Sequence, residues 1–415
     1  MSQRFRTSDL GIIDRTSPIT FSFDGQLLDG FSGDTLASAL LANGIHLVGR
    51  SFKYHRPRGI LSAGSEEPNA LVTVGEGGRS TPNLRATQIE LYEGLVATSQ
   101  NRWPSLKFDA HSIFNTMSRL LPAGFYYKTF MWPSSLWTTY EHFIRRAAGM
   151  GNVPGERDPD RYEKMHRHCD VLVVGGGAAG LAAALAAGRS GARVILADEN
   201  ALFGGDILST TEKIDSRQAK EWADIVVEEL KSLPNITLLP RTTVFGYYDH
   251  NHLAALERVT DHMAIAPDNL PRQRLWTFRA KEVVLATGSV ERSMVFRDND
   301  RPGTMLSGAA NAYLMQYGVK VGKRAVLFTS NDAAYRSALC LAEAGIEVSV
   351  LDTRPETAGP LPQEAIEEGI DIRHEQAIVR THGTQRLEAI ETMPMSADGT
   401  SVSGIPLRID CDTLL

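Results

Sequence analysis

Cysteine is scarce in this chain. Three occur in 415 residues, Cys169, Cys340 and Cys411, and none precedes Cys169. They are odd in number, far apart, and form neither C-x-x-C nor C-x4-C. A disulfide framework and a redox dithiol are therefore excluded, and each cysteine reads as a small buried apolar residue. Long apolar runs are also missing, so no transmembrane helix is expected. Met1 to Thr7 is polar and has no signal-peptide core, which makes the cytoplasm the expected location. Excess positive charge is absent. With 43 Lys+Arg against 49 Asp+Glu the net charge is −6, which argues against nucleic acid or an anionic membrane as partner. No Ser–His–Asp or Cys–His arrangement stands at a meaningful spacing, so no catalytic residue is assigned. His166 and His168 read as an exposed strand edge, and no metal site is expected.

What is present is a nearly complete dinucleotide-binding βαβ unit. Val171 to Val174 suit a buried parallel strand. Gly175, Gly177 and Gly180 fill G-x-G-x-x-G. They allow a tight turn, close approach of backbone to a pyrophosphate, and helix-on-strand packing, in that order. Residues 181–189 are Ala-rich and predict the helix whose N-terminus faces the phosphates. Residues 194–196 predict the second strand, and Asp198 at its end is placed to accept ribose hydroxyl protons.

The rest of the chain organises around this unit, and 415 residues are enough for two or three domains. Residues 19–28 read as a hairpin turning at Asp24-Gly25. A helix over 36–43 follows, with Asp34 or Thr35 as N-cap. A basic loop over 50–59 carries Arg50, Lys53, His55, Arg56 and Arg58. It reads as a solvated loop, as one that pairs with Glu66 and Glu67, or as a contact to a partner subunit or a flavin phosphate. A strand is expected over 86–91. Residues 106–165 form a connector rich in aromatics, among them Phe125, Tyr126, Tyr127, Phe130, Trp132, Trp137, Tyr140 and Phe143. These either pack against their neighbours or form a subunit interface. Beyond the glycine turn, residues 212–233 predict an amphipathic helix with Trp222, Ile225, Val226 and Leu230 on its apolar side. Strands are expected over 236–239 and 243–248, and another over 282–285 leading into Ala286-Thr287-Gly288.

A second βαβ-like unit spans 324–352. Its turn, Thr329 to Ala334, has no glycine, so it reads as scaffold, with nucleotide binding as the alternative. Residues 407–415 look like a strand cut off midway, as in a truncated chain. The expected division is thus 1–105, 106–165, 166–317 and 318–415, the last incomplete.

Two dinucleotide units, Gly204-Gly205 after the first acid, and Ala286-Thr287-Gly288 resemble the α/β two-dinucleotide-binding-domain flavoprotein fold. The N-terminal hairpin, helix and strand resemble an α+β plant-type [2Fe–2S] ferredoxin domain. That cluster needs four thiolates, and the ligand loop reads Ser51 to Ser62 without a cysteine, so the shape is kept and the cluster is lost. This order of blocks, with Arg56-Pro57-Arg58-Gly59 and Glu66-Glu67-Pro68-Asn69-Ala70-Leu71-Val72, resembles the α subunits of heterotetrameric sarcosine oxidases along essentially the whole chain.

The resemblance implies oxidative demethylation of sarcosine to glycine with hydrogen peroxide. The one-carbon unit leaves as formaldehyde or, with tetrahydrofolate, as 5,10-methylenetetrahydrofolate. It places FAD, the amine site and a covalent FMN on a β subunit, with FMN at the α–β interface. A γ subunit and a zinc-binding δ subunit complete the heterotetramer. The α subunit holds NAD⁺ in its first dinucleotide site, and folate in a C-terminal domain that would lie beyond Leu415. The isolated chain is then expected to be inactive. Carried over by position, the cofactor contacts are Asp198 and Glu199 at the ribose, Val244 beside the adenine, and Ala179, Asn200 and Asp206; the motif residues Gly175, Gly177, Gly180, Gly205, Thr287 and Gly288 complete the candidate set. Two of these depart from the family pattern: Asn200 stands for an Arg, and Asp206 for a small hydroxyl residue. By residue chemistry alone FAD suits the same site, since both cofactors present an adenosine ribose and a pyrophosphate. The alternatives to this reading are a subunit of a related dehydrogenase for opines, hydroxyproline or glycine, and a non-catalytic nucleotide-binding scaffold.

Overall fold

The structure is a computed structural model that describes residues 3–120, 132–149 and 151–415. It has two compact units, one built from Met1–Arg157 with Arg292–Leu415 and one from Asp158–Glu291.

In the first unit the predicted hairpin forms. Asp14–Phe23 and Gln26–Ser32 pair antiparallel, with Phe23 opposite Gln26. Asp24 and Gly25 carry φ of 50° and 79°, the two left-handed residues that a two-residue hairpin turn requires. The five-stranded sheet runs in the order Gln26–Ser32, Asp14–Phe23, Val96–Ser99, Leu71–Val74, Thr81–Arg85. Thr35 caps the helix Leu36–Ala42 through a capping box with Ser38. Asp34 is engaged elsewhere. Its carboxylate takes both arms of Arg6, at 3.0 and 2.6 Å, and the Phe31 N–H.

The strand expected over 86–91 is not formed. Ala86–Gln88 is a short 3₁₀ turn. The Thr87 hydroxyl donates to the Gly64 carbonyl, and the Ile89 carbonyl accepts the Leu36 N–H. The polar groups a strand would present sideways are committed to a loop and a helix start. Nor does the basic loop pair with Glu66 and Glu67. Arg50 is buried and donates to the Leu106 carbonyl, Arg56 bridges Asp298 and Asp300, and Arg58 pairs with Asp300. Glu67 instead organises its own block. Its carboxylate is 1% exposed and accepts the N–H groups of Leu61, Ser62, Asn69 and Ala70 at 2.7–3.0 Å. Burial pushes this carboxyl above its ordinary value, against the pull of the four donors.

The C-terminal part of this unit is a parallel sheet in the order Asp371–Arg373, Glu347–Asp352, Arg324–Thr329, Thr413–Leu414. Helices Ser307–Tyr317 and Ala333–Glu343 accompany it. Phe21, Leu36 and Leu40 share one continuous core with Tyr313, Leu314, Leu327 and Tyr335. In the connector, residues 125–131 lie outside the described residues. Trp132, Trp137 and Phe143 are exposed.

The second unit is a six-stranded sheet in the order Ile236–Leu239, Val194–Ala197, Tyr162–Val174, Gln273–Leu285, His252–Arg258, Thr242–Tyr248. The first four strands are parallel, and the last two continue antiparallel. Side chains alternate across it. Leu172 and Ile195 join Leu253, Trp276 and Phe278 on one face, while Val173 and Leu196 meet Leu181, Val226 and Leu230 on the other. The helix expected over 212–233 begins only at Ala219. Asp215 and Ser216, at φ 49° and 65°, turn a small hairpin before it. Its buried face is Ala219, Ala223, Val226 and Leu230, and Ile225 is exposed. Among the described residues no helix is long and apolar enough to cross a membrane.

Replacing Glu67 by Gln keeps the shape and turns an amide NH₂ toward backbone donors. We expect a loss of about 2–4 kcal/mol in unfolding free energy, read by urea denaturation. A loss below the error of extrapolation would mean that the 61–70 loop does not depend on this carboxylate.

Candidate nucleotide-binding site

The site lies at the C-terminal ends of parallel strands Tyr162–Val174, Val194–Ala197 and Gln273–Leu285 in the Asp158–Glu291 unit. Gly175 follows the first strand at φ 98°, and a Cβ there would meet the Ala286 carbonyl oxygen at 2.3 Å and the Thr287 Cα at 3.3 Å. Gly180 is tighter still, since its Cβ would fall 1.8 Å from the Gly175 carbonyl oxygen. Gly177 meets a different need. It sits at the N-cap of helix Ala178–Arg189 with φ −71°, and a Cβ would meet nothing nearer than the Gly204 carbonyl oxygen at 3.8 Å. No side chain caps that helix start and no acid stands in its first turn. Its first N–H groups and dipole are therefore suited to an anionic group such as a pyrophosphate.

Asp198 is 8% exposed. Its two carboxylate oxygens accept the N–H of Gly176 at 2.6 Å and of Asn200 at 2.8 Å. It thus braces the glycine turn from behind. Glu199, next to it, is half-buried, and its carbonyl accepts Arg258. Asn200 contributes its N–H and leaves its side chain exposed. Gly205 is at φ 56°, a Cβ there would meet the Gly177 Cα at 3.3 Å, and Gly177 and Gly204 form a parallel bridge. The Gly204-Gly205 pair therefore closes the turn on one side, as Thr287 does on the other. Asp206 is exposed on the short turn Gly205–Ser209, Ala179 is exposed on the first helical turn, and Gly288 is exposed at φ 70°. Val244 lies half-buried on Thr242–Tyr248, a strand tied to the acid by the Thr242 N–H on the Asp198 carbonyl. The G-x-G-x-x-G pattern passes over Gly176, whose N–H meets Asp198 and whose Cβ would strike Phe203 at 2.3 Å. The run of three glycines was the available signal.

The cysteines offer no thiolate. All three are free, and burial pushes Cys169 up to about 11 and Cys411 up to about 12. The second βαβ-like turn, in the other unit, is closed by its own side chains. Asp352 is fully buried, takes the Tyr335 hydroxyl at 2.8 Å, and is clasped by Arg354 at 2.8 and 3.0 Å. An acid engaged in this way is not presented to a ribose.

Residues 169–415 match the pyridine nucleotide-disulphide oxidoreductase family. With the glycine cradle and the parallel sheet already in view, this defines the chain as a member of that family. Residues 16–102 match the 2Fe-2S iron-sulfur cluster binding domain. No cysteine lies in that range, so the residues present do not fit a thiolate-held cluster. The chain is similar to sarcosine oxidase subunit alpha of Rhizobium meliloti (strain 1021), 51% identical over 414 residues. That match covers 96% of this chain and 41% of that protein. The subunit alpha of Corynebacterium sp. (strain U-96) is 38% identical over 407 residues, covering 97% of this chain and 37% of that protein. The chain thus spans about two fifths of the length of these relatives. Among solved structures, L-proline dehydrogenase from P. horikoshii shares the fold at TM-score 0.59 and 20% identity, covering 98% of this chain and 61% of that one.

Two glycine substitutions separate binding from folding. Gly177→Ala is expected to fold normally and to weaken dinucleotide binding at least about tenfold, because its methyl occupies the phosphate side of the turn. Gly180→Ala is expected to lower unfolding free energy by about 1–3 kcal/mol as helix and turn are forced apart. Urea denaturation and isothermal titration with NAD⁺ read the two effects. Equal loss of stability in both variants would refute the division.

Proposed function

We propose that this chain is an α-subunit component of a sarcosine oxidase, holding NAD⁺ in the Asp158–Glu291 unit while amine oxidation takes place on a partner chain. The observation that carries the reading is 51% identity to a sarcosine oxidase subunit alpha across 96% of this chain. The chemistry is the oxidation of sarcosine by O₂ with water, giving glycine, formaldehyde and hydrogen peroxide. With tetrahydrofolate the one-carbon unit leaves as 5,10-methylenetetrahydrofolate. On this reading FAD and the covalent FMN belong to a β subunit, with FMN at its interface with this chain. Folate belongs to a part of the protein outside this sequence. A γ subunit and a zinc-binding δ subunit complete the assembly, and the cytoplasm is its location.

For the nucleotide, the cradle has what an ADP half requires. Gly175, Gly177, Ala179 and Gly180 face the pyrophosphate, with Gly205, Thr287 and Gly288 around the turn. The Asp198 carboxylate accepts the Gly176 and Asn200 N–H groups and keeps lone pairs for a further donor. We assign the ribose hydroxyls to Asp198 and Glu199. Val244 borders the adenine, and Asn200 and Asp206 line the outer edge. A bound nicotinamide dinucleotide supplies a hydride-accepting ring. The absence of a dithiol beside this turn supports a cofactor retained without disulfide chemistry.

Denaturing the purified protein and identifying the released nucleotide tests the cofactor: NAD⁺ is expected, and FAD would overturn the assignment. Glu199→Gln is expected to raise the dissociation constant for NAD⁺ by about 10–100-fold with unchanged thermal unfolding. Co-expression with the flavin-bearing partner tests the activity. Sarcosine-dependent peroxide formation is expected, and failure of a folded chain to associate with that partner would overturn the subunit reading.

A further inference from the structure

We propose that His55, Asp109 and His111 form a divalent-cation site, suited to Zn²⁺, that staples the cysteine-free loop of the 2Fe-2S-like region to the segment following it. One ligand atom from each residue lies within 4.8 Å of the other two. His55 Nδ1 and Asp109 Oδ2 are 2.7 Å apart, with both side chains buried, while the His111 ring is exposed. Two imidazoles and a carboxylate are a common three-ligand set for zinc, leaving a fourth position for water. Tetrahedral zinc places ligand atoms roughly 3.3 Å apart. A small rotation of the exposed His111 ring and a slight parting of His55 from Asp109 complete the set.

Three further observations show a built site rather than a chance meeting of side chains. The second Asp109 oxygen accepts the N–H groups of Trp103 at 3.1 Å and His111 at 3.2 Å, so the carboxylate is oriented independently of His55. Outer contacts of this kind fix the first ligands of metal centres. The His111 ring stacks between Trp103 and Phe114, each centroid 5.8 Å away. His55 holds a left-handed backbone at φ 52°, a region histidine enters more readily than most residues, with Arg50 donating to its carbonyl at 3.2 Å. The imidazole is buried in a loop that has no cysteine to carry a cluster. The Arg50 guanidinium also bounds the affinity. Its positive charge beside the site offsets Asp109, so binding in the micromolar range is expected rather than the far tighter binding of a thiolate site.

The test uses the untagged full chain and Zn²⁺ alone, with a chromophoric chelator as competitor. Metal content is compared with a His111→Ala variant, since the exposed ring can be removed without opening the core. One more zinc per chain is expected in the native protein than in H111A, with a rise in melting temperature on zinc addition that the variant lacks. Asp109→Asn, which keeps the side-chain shape, is expected to weaken zinc at least about tenfold. Co²⁺ substitution supplies a second reading: intense visible absorption bands from a tetrahedral site are expected in the native protein and absent in both variants. Equal zinc affinity in native and H111A protein, or no binding in the native protein, would overturn the site and leave His55–Asp109 as a buried hydrogen-bonded pair.

Discussion

The nucleotide site depends on a single close approach, that of Gly180 to the carbonyl oxygen of Gly175, where a methyl group would sit 1.8 Å away. With hydrogen at that point, helix Ala178–Arg189 can press against the strand that precedes it and direct its uncapped N–H groups over the turn. Everything else around the turn reinforces that geometry. Asp198 ties down Gly176 and Asn200, Ala286 and Thr287 wall one side, and Gly204-Gly205 wall the other. The cradle is made largely of backbone, which explains why so few of its residues carry reactive chemistry.

The two βαβ units show how one architecture can serve two purposes. In the first, glycines leave space beside the phosphate-facing helix end. In the second, Tyr335 occupies the start of the corresponding helix and donates to Asp352, which Arg354 also neutralises. The acid that could meet a ribose becomes an internal strut. At its centre Asp352 and Tyr335 are buried and paired with each other, the condition under which a polar contact stabilises a core rather than weakening it.

Much of this was legible in the chain because it rests on short-range rules. Asp24-Gly25 announces its hairpin, Thr35 its helix, and Gly175 to Gly180 their turn, since each signal lies within a few residues of its effect. The misreadings share a cause. Residues 86–91 have strand-like composition, yet the Gly64 carbonyl and the Leu36 N–H, both distant in sequence, draw their polar groups away. Arg56 and Arg58 find their acids at Asp298 and Asp300, more than two hundred residues on, rather than at nearby Glu66 and Glu67. That Asp198 also braces the glycine turn, through the N–H groups of Gly176 and Asn200, is visible only in the fold. His55 and Asp109 are 54 positions apart, so no spacing pattern marks them.

The core shared by the two ends of the chain has a consequence for the order of events during synthesis. The Tyr313 hydroxyl donates to the Ser62 carbonyl across 251 residues, and Leu36 and Leu40 belong to the same apolar cluster as Leu314 and Leu327. A ribosome extends the chain from the N-terminus, so the five-stranded sheet emerges long before the helix that completes its interior. The Asp158–Glu291 segment, a compact unit with its own core, emerges in the interval. The first hundred residues thus spend the middle of translation with apolar surface still waiting for its cover, a period in which a chaperone has most to protect.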